Sequence, residues 1–488
     1  MATKRQSKSL VRKQEIIPLL IFVFSAFLLL AFTGGITILT KMVQETSASV
    51  TKVIFPPKKK TASFKKNQDV QIKVSSDSSL AKYGGWIGKI KQVHYLKEKN
   101  TYRYDVIFEN KKVLKKMKAS VIQAKEKAKY QVGEIIQLKK SAETDLDGAS
   151  LSDYKGTAGK VDNISLNYRS QDGGYKYDIT FDDGIKYTNI HERDLSTIYQ
   201  VKLSADNSAS QNNEVLRQAF AYAKDNPGTV LGLPSGEFKI GSQTPEQDYQ
   251  LLSSDTELRG NKTTLLVEGT AYWFGLATGP GAEDGVKNFT MRNIDVKASD
   301  LTKGDHFMIM ANHGTNWKII NNSFTMVHKS GSHIFDLGSV QNSVFDGNQF
   351  VGYAPDLTNK TNVAEGDDLH LYYAEAIQLD AAENTGMWDA NLIKNIDPNY
   401  AANNAQNHLS SNIVITNNAF LPYKDSSGKI IAYSASIGQH SSDVGLVSIY
   451  NNTFTSSLVK QIAKNDWVLK PIHLQSDYAN AIYANTIN

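Results

Sequence analysis

The chain has 488 residues, 54 Lys+Arg against 49 Asp+Glu, and no cysteine. The missing cysteine excludes a disulfide scaffold, a Cys-ligated zinc or Fe–S site and a thiol nucleophile, and 41% hydrophobic residues with 11 Pro and 33 Gly exclude a collagenous or wholly disordered chain. The net charge of +5 conceals a split: residues 1–140 carry 29 Lys+Arg and 9 Asp+Glu, whereas residues 141–488 carry 25 and 40.

Residues 16–39 form an uncharged apolar run, IIPLLIFVFSAFLLLAFTGGITIL. A membrane-spanning helix needs about 20 apolar residues, so a transmembrane anchor is expected over 16–40. Lys4, Arg5, Lys8, Arg12 and Lys13 precede it. The positive-inside rule then leaves residues 1–15 as a cytoplasmic tail and exports the rest. The expected location is the cell membrane, single-pass, with the bulk extracellular. A cleaved signal peptide is the competing reading, but its apolar region is usually only about 7–15 residues long. Residues 41–66 form a basic linker, and its Pro56-Pro57 and lysines suit a solvated stalk. No nucleic-acid partner is expected for an exported segment.

An internal repeat follows. Gly85-Trp-Ile-Gly88-Lys89 with Tyr102-Arg-Tyr104-Asp105-Val-Ile-Phe108 returns as Gly156-Thr-Ala-Gly159-Lys160 with Tyr175-Lys-Tyr177-Asp178-Ile-Thr-Phe181. The alternation in each Tyr-x-Tyr-Asp run has the period of a strand. Two modules are therefore expected, over 67–128 and 129–200. The pattern resembles bacterial SH3-like modules, and that resemblance implies small β-barrels and a cell-wall polymer as a partner. Trp86, Tyr95, Tyr102 and Tyr104 are candidates for an aromatic sugar-binding face in the first copy. Position 157 holds Thr where the first copy has Trp86.

From residue 204 the composition turns toward Asn, Ser and Gly. Residues 214–223 place Val215, Leu216, Ala219, Phe220 and Ala223 on one helical face. Short apolar strands then recur, each with an Asn-rich turn and an apolar end: Phe324, Phe350, Phe420, Phe454 and Ile487. Repeats of this spacing mark a solenoid. Asn tolerates left-handed turns, and its amides can ladder from one turn to the next. The interval between Phe350 and Phe420 calls for a large loop or an extra turn. The helix, the Thr229-Val230 to Phe238 strand and the repeats resemble right-handed parallel β-helix proteins of the pectin-lyase-like class. The expected fold class is all-β: an N-terminal transmembrane helix, two small SH3-like β-barrels, then a right-handed single-stranded parallel β-helix over 204–488.

Stacking the turns aligns Ile309, Phe335, Ile377, Ile437 and Ile472 as an inward column. One place later stand Met310, Asp336, Gln378, Gly438 and His473, and three places later Asn312, Gly338, Asp380, His440 and Gln475. Both point outward by strand parity. Two places before the inward column stand Phe307, His333, Glu375, Ala435 and Lys470, at strand starts where a turn can redirect a side chain. Eight of the ten histidines follow Asp300. Clustered carboxylates and histidines in one groove suit proton transfer. The candidate catalytic residues are Glu375, Asp380, Asp336, His333 and His440. Candidate substrate contacts are Gln378, His473, Lys329, Tyr373 and Trp388. Asp367 and Asp368 make calcium conceivable, but two adjacent carboxylates are weak evidence for it, so no cofactor and no metal residue are expected.

The stretches from His333 to Gly338 and from Tyr373 to Asp380 are similar to those of Gram-positive surface β-helix proteins of that class. The resemblance implies action on exopolysaccharide, capsule or cell-wall glycan, most simply as a glycoside hydrolase. A polysaccharide lyase is the first alternative; no arginine follows Arg292 to act as its base, which leaves Lys329, His333 or a tyrosine such as Tyr373 for that role. A non-catalytic glycan or receptor binder is the second. An acidic groove without arginine favours a neutral or sparsely charged polymer.

Overall fold

The computed structural model describes residues 59–73, 79–108, 110–125, 127–166, 174–276, 285–301, 304–327, 333–354, 375–380, 410–439, 444–455, 471–474 and 479–488. Among them the fold is β throughout, with a single α-helix, α1 (Ala209–Asp225), and a few one-turn 3-10 helices. The expected membrane placement is corrected here. No helix among the described residues is long and apolar enough to cross a membrane, and the 16–40 span lies outside them.

The repeat is structural. The first copy forms an antiparallel sheet from Asp69–Ile72, Ile87–Leu96, Thr101–Phe108, Val113–Lys118 and Ile122–Ala124. The second uses Ile135–Leu138, Ala158–Leu166, Tyr175–Phe181, Lys186–His191 and Leu195–Thr197. Both sheets have the spatial order fourth, third, second, first, fifth. The shared motif residues explain why. Gly88 and Gly159 sit where a Cβ would meet Ile107 O at 2.7 Å and Ile179 Cγ2 at 2.6 Å, so only glycine lets the next strand approach. Tyr104 and Tyr177 are fully buried. Asp105 accepts the backbone N–H of Lys116, and Asp178 that of Asn189. Both donors are left-handed residues, so the aspartate of the repeated motif holds an irregular turn of the following strand in place.

The aromatic residues of the first copy do not share one face. Tyr104 belongs to the core and Trp86 packs against Tyr83 and Phe108. Tyr95 and Tyr102 form a separate ring pair under Lys59. The first sheet lies in one compact unit; the second sheet and the coil lie together in another.

The coil consists of rungs whose strands pair in parallel with the rung before, the arrangement of a parallel β-helix. One face is a seven-stranded sheet running through Gln250–Leu251, Thr270–Gly275, His306–Asn312, Phe335–Gly338, Glu375–Asp380, Ser436–Gly438 and Ile472–His473. Two further strands per rung meet at a corner. There Asn322, Asn348, Asn418, Asn452 and Asn485 stack, each amide donating to the next side-chain oxygen at 2.9–3.1 Å. Inside, Phe324, Phe350, Phe420 and Phe454 stack with centroids 4.4–5.3 Å apart. Phe350 pairs directly with Phe420, so the long interval is one rung carrying insertions and not an extra turn.

Helix α1 covers the first rungs. Ser208 and Gln211 form a reciprocal capping box at its start. Leu216, Ala219, Phe220 and Ala223 enter the core.

Candidate active site

The seven-stranded face carries the registers expected from the sequence. Ile309, Phe335, Ile377, Ile437 and Ile472 pair in one column, and Met310, Asp336, Gln378, Gly438 and His473 in the next. Gly338 pairs with Asp380.

The exception is Glu375. A register shift between Glu375 and Ile377 pairs Glu375 with Ser436, not with Ala435. Ala376 and Ile377 both enter the core. A bulge of this kind re-aims the residue before it. Glu375 is thereby turned to the outer side with Ser436 and Gln378. One rung earlier Ile334 and Phe335 both enter the core, and His333 is displaced in the same sense.

These turned residues form a buried polar corner. Glu375 is 0% exposed. His473 Nε2 lies 2.5 Å from Glu375 Oε1. With Glu375 ionised, the carboxylate accepts and Nε2 donates. His333 Nδ1 lies 2.9 Å from the Glu375 carbonyl and 4.0 Å from Oε2. His306 Nε2 lies 3.2 Å from the His333 carbonyl, to which it donates. A buried carboxylate is costly unless paired and hydrogen-bonded, and the imidazole of His473 supplies that here.

Tyr353 completes the corner. It is 1% exposed, its ring centroid is 6.1 Å from that of His306, and its φ is +105°. Burial, followed by the charges of Glu375 and Asp336, pushes its phenol well above the ordinary 10.0. Its backbone pairs antiparallel with Ser434 of the Tyr423–Lys424 and Ile430–Ser434 hairpin. A non-glycine residue at such a φ is unusual and is tolerated only where the surroundings hold it.

Asp336 and Asp380 differ from Glu375 in being partly open to solvent. Gln378, itself buried, donates from Nε2 to Asp380 Oδ2 at 3.2 Å. Two partly exposed carboxylates stand on adjacent rungs, and Glu375, on the same strand as Asp380, is buried and held by histidines. His473 supports Glu375 and is almost completely buried.

Lys329, Tyr373, Trp388 and His440 lie outside the described residues, as do Asp367 and Asp368. Among the described residues no group of three or more His, Asp or Glu is placed to hold a metal ion. Sequence reasoning missed Tyr353, His306, Ser436 and Gly438. Tyr353 lies in the strand Gln349–Ala354, whose apolar pattern gives no sign of chemistry. Gly438 matters through what it lacks: a Cβ there would stand 2.0 Å from His473 Nε2.

No family model and no curated protein matches the chain. Solved structures resemble it at low identity. The surface adhesin PfbA of Streptococcus pneumoniae is 17% identical over 53% of this chain, with a TM-score of 0.38. A tailspike protein of E. coli bacteriophage HK620 is 11% identical over 63% of this chain and 54% of its own, with a TM-score of 0.27. The family 28 exopolygalacturonase of Yersinia enterocolitica is 11% identical over 64% of this chain and 70% of its own, with a TM-score of 0.17. The chain spans 57% of the adhesin's length. Likeness of this degree transfers no residue and no activity, so the fold rests on the strand pairing itself.

Proposed function

We propose that the coil is a polysaccharide-processing enzyme, a glycoside hydrolase in which Asp336 and Asp380 flank the scissile bond. The observation that carries this reading is the bulge at Ala376. It turns Glu375 toward His473 and His333, on the strand that also carries Asp380 and beside the one that carries Asp336. Glu375 is closed to solvent, so its role is positioning and charge balance.

Asp336 pairs with Gln378, two residues before Asp380. The two carboxylates thus stand on adjacent strands, where one can protonate the leaving oxygen while the other activates water or attacks the sugar. The lack of arginine on this face supports a neutral or sparsely charged glycan as substrate.

The lyase alternative would take Lys329, Tyr373 or His333 as its base; Lys329 and Tyr373 lie outside the described residues, and His333 is buried with Nδ1 2.9 Å from the Glu375 carbonyl. A non-catalytic glycan binder is the second reading, favoured by the complete burial of Glu375.

The test is turnover of a panel of neutral glycans by Asp336→Asn and Asp380→Asn. Each should lose at least about 10²-fold in kcat, the scale of a lost general acid or base, while binding survives. Full turnover by both variants would refute the assignment, and binding without turnover by the wild type would favour the binder. An unsaturated product absorbing in the near ultraviolet would establish the lyase.

A further inference from the structure

The two small modules share a core and differ in surface. They have the same strand order, the same close-approach glycine, the same buried tyrosine and the same aspartate clamp. Yet residues 59–125 hold 17 Lys+Arg against 5 Asp+Glu, whereas residues 130–203 hold 9 against 12. One fold with two opposite charge balances is an internal control. The core does not require the cations of the first copy.

The cations are also arranged. Arg103 pairs with His94 on one side and Lys118 on the other. Lys91, Lys115, Lys116 and Lys118 are exposed. Arg103 and Lys118 are like charges directly opposite one another, which destabilises a sheet. At the matching positions of the second copy stand Asp162 for Lys91, Thr188 for Lys115 and Asn189 for Lys116. Asp162 there is engaged by Thr180 and Lys186.

We propose that the first module is a docking surface for a linear polyanion, a chain bearing repeated phosphate or carboxylate groups, and that the second module is not. Arg103 and the exposed lysines lie on three adjacent strands about 4.8 Å apart, which suits charges repeated along an extended chain. A lipid surface is the poorer partner. Interfacial binding adds buried apolar side chains to charge attraction, and no large hydrophobic among the described residues of this module is exposed.

The experiment compares the full chain with a variant carrying Lys91→Asp, Lys115→Thr and Lys116→Asn. These are the second copy's own residues, so the same fold is known to carry them. Fluorescent polyphosphate and polygalacturonate are the two anionic probes, with dextran as the neutral control and phosphatidylglycerol vesicles as the membrane probe. The wild type should bind at least one polyanion at low salt, and not dextran. Which one binds separates phosphate from carboxylate. The triple variant should bind at least 10-fold more weakly, with a shallower dependence of log Kd on log salt. Lys91→Asp alone should give a smaller loss, so a folding defect in the triple variant would not shield the proposal. Unchanged affinity in the variants, no binding of either polymer, or binding to the vesicles alone would overturn it.

Discussion

His473 reaches Glu375 from two rungs away, across the intervening Gly438. The two residues are 98 positions apart in sequence, and their side chains meet at 2.5 Å with both almost completely buried. The contact is possible only because the strand between them presents no side chain at that point. A Cβ on Gly438 would stand 2.0 Å from Nε2 and 2.4 Å from Cε1 of His473. Glycine here serves as a window through which one rung stabilises another's charge.

Gly438→Ala should therefore act like a lesion in His473. The methyl group displaces the imidazole and leaves Glu375 buried without its donor, which costs about 1–3 kcal/mol or more for a charged group. We expect a clear fall in urea midpoint and at least about a tenfold loss of kcat, equivalent to ~1.4 kcal/mol. His473→Gln keeps a donor and should recover part of the midpoint. Equal stability of wild type and Gly438→Ala would mean that the ring moves aside at no cost.

Tyr353 gives a test in alkali. Its folded-state pKa is raised by burial and by the Glu375 and Asp336 charges. A phenol whose pKa is higher folded than unfolded contributes stability that is complete below about pH 10, its unfolded value, and is lost as pH rises further. The wild-type urea midpoint should fall more steeply between pH 9 and 11 than that of Tyr353→Phe. The comparison between the two proteins cancels the other tyrosines and lysines. Parallel slopes would show that the phenol is not held in its neutral form by the fold.

The corner asparagines test the coil itself. Asn418 donates to the Phe345 and Thr416 carbonyls and to Asn452 Oδ1, and accepts from the backbone and the amide of Asn348. Asn418→Ala strands several buried polar groups and should cost about 3 kcal/mol or more, at about 1–3 per unsatisfied group. At a second corner the left-handed residues Asn288, Asn316, Asn342 and Asn412 are succeeded by Leu446, with φ +55° and 59% exposed. Leu446→Asn should stabilise by about 1 kcal/mol, because a left-handed conformation costs an ordinary side chain roughly that much. A lower midpoint for Leu446→Asn would show that its side chain has a packing role.

Much of this architecture was legible because it follows from period. The inward isoleucines, the aromatic stack and the corner asparagines each recur once per rung, so the column through Ile309, Phe335, Ile377, Ile437 and Ile472 could be aligned without coordinates. Glu375 was legible as a candidate but not in its placement. A bulge breaks the alternation that strand parity relies on, and nothing in Glu-Ala-Ile announces one. Tyr353 and His306 were invisible for a different reason. They reach the site through a corner and a hairpin, contacts that no repeat encodes. The likeness of the two five-stranded sheets was legible from the repeated Tyr-x-Tyr-Asp motif, whereas the attachment of the second sheet to the coil depends on a few long-range charges.

That attachment centres on Asp182, in the turn after the second module's third strand. Its carboxylate takes both terminal nitrogens of Arg259, and Arg292 Nη1 joins it. Arg259 Nε also donates to Glu257 at 2.6 Å. The Arg259 side chain is only 6% exposed, and its carboxylate partners hold its pKa above the ordinary value although burial opposes them. Asp182 is itself 38% exposed, so solvent screening reduces what the pair contributes. Removing one partner of a buried ion pair costs more than the pair is worth, because the remaining charge stays desolvated. Asp182→Asn leaves two guanidiniums with Glu257 alone and should cost about 2 kcal/mol, below the 3–5 typical of a fully buried pair. The loss should fall on the junction first. Limited proteolysis should cut between the second module and α1 faster than in the wild type, while the coil's own fragment stays intact. Unchanged cleavage would mean that the backbone pairing of Tyr199–Gln200 with Val230–Gly232 holds the module without help from the charges.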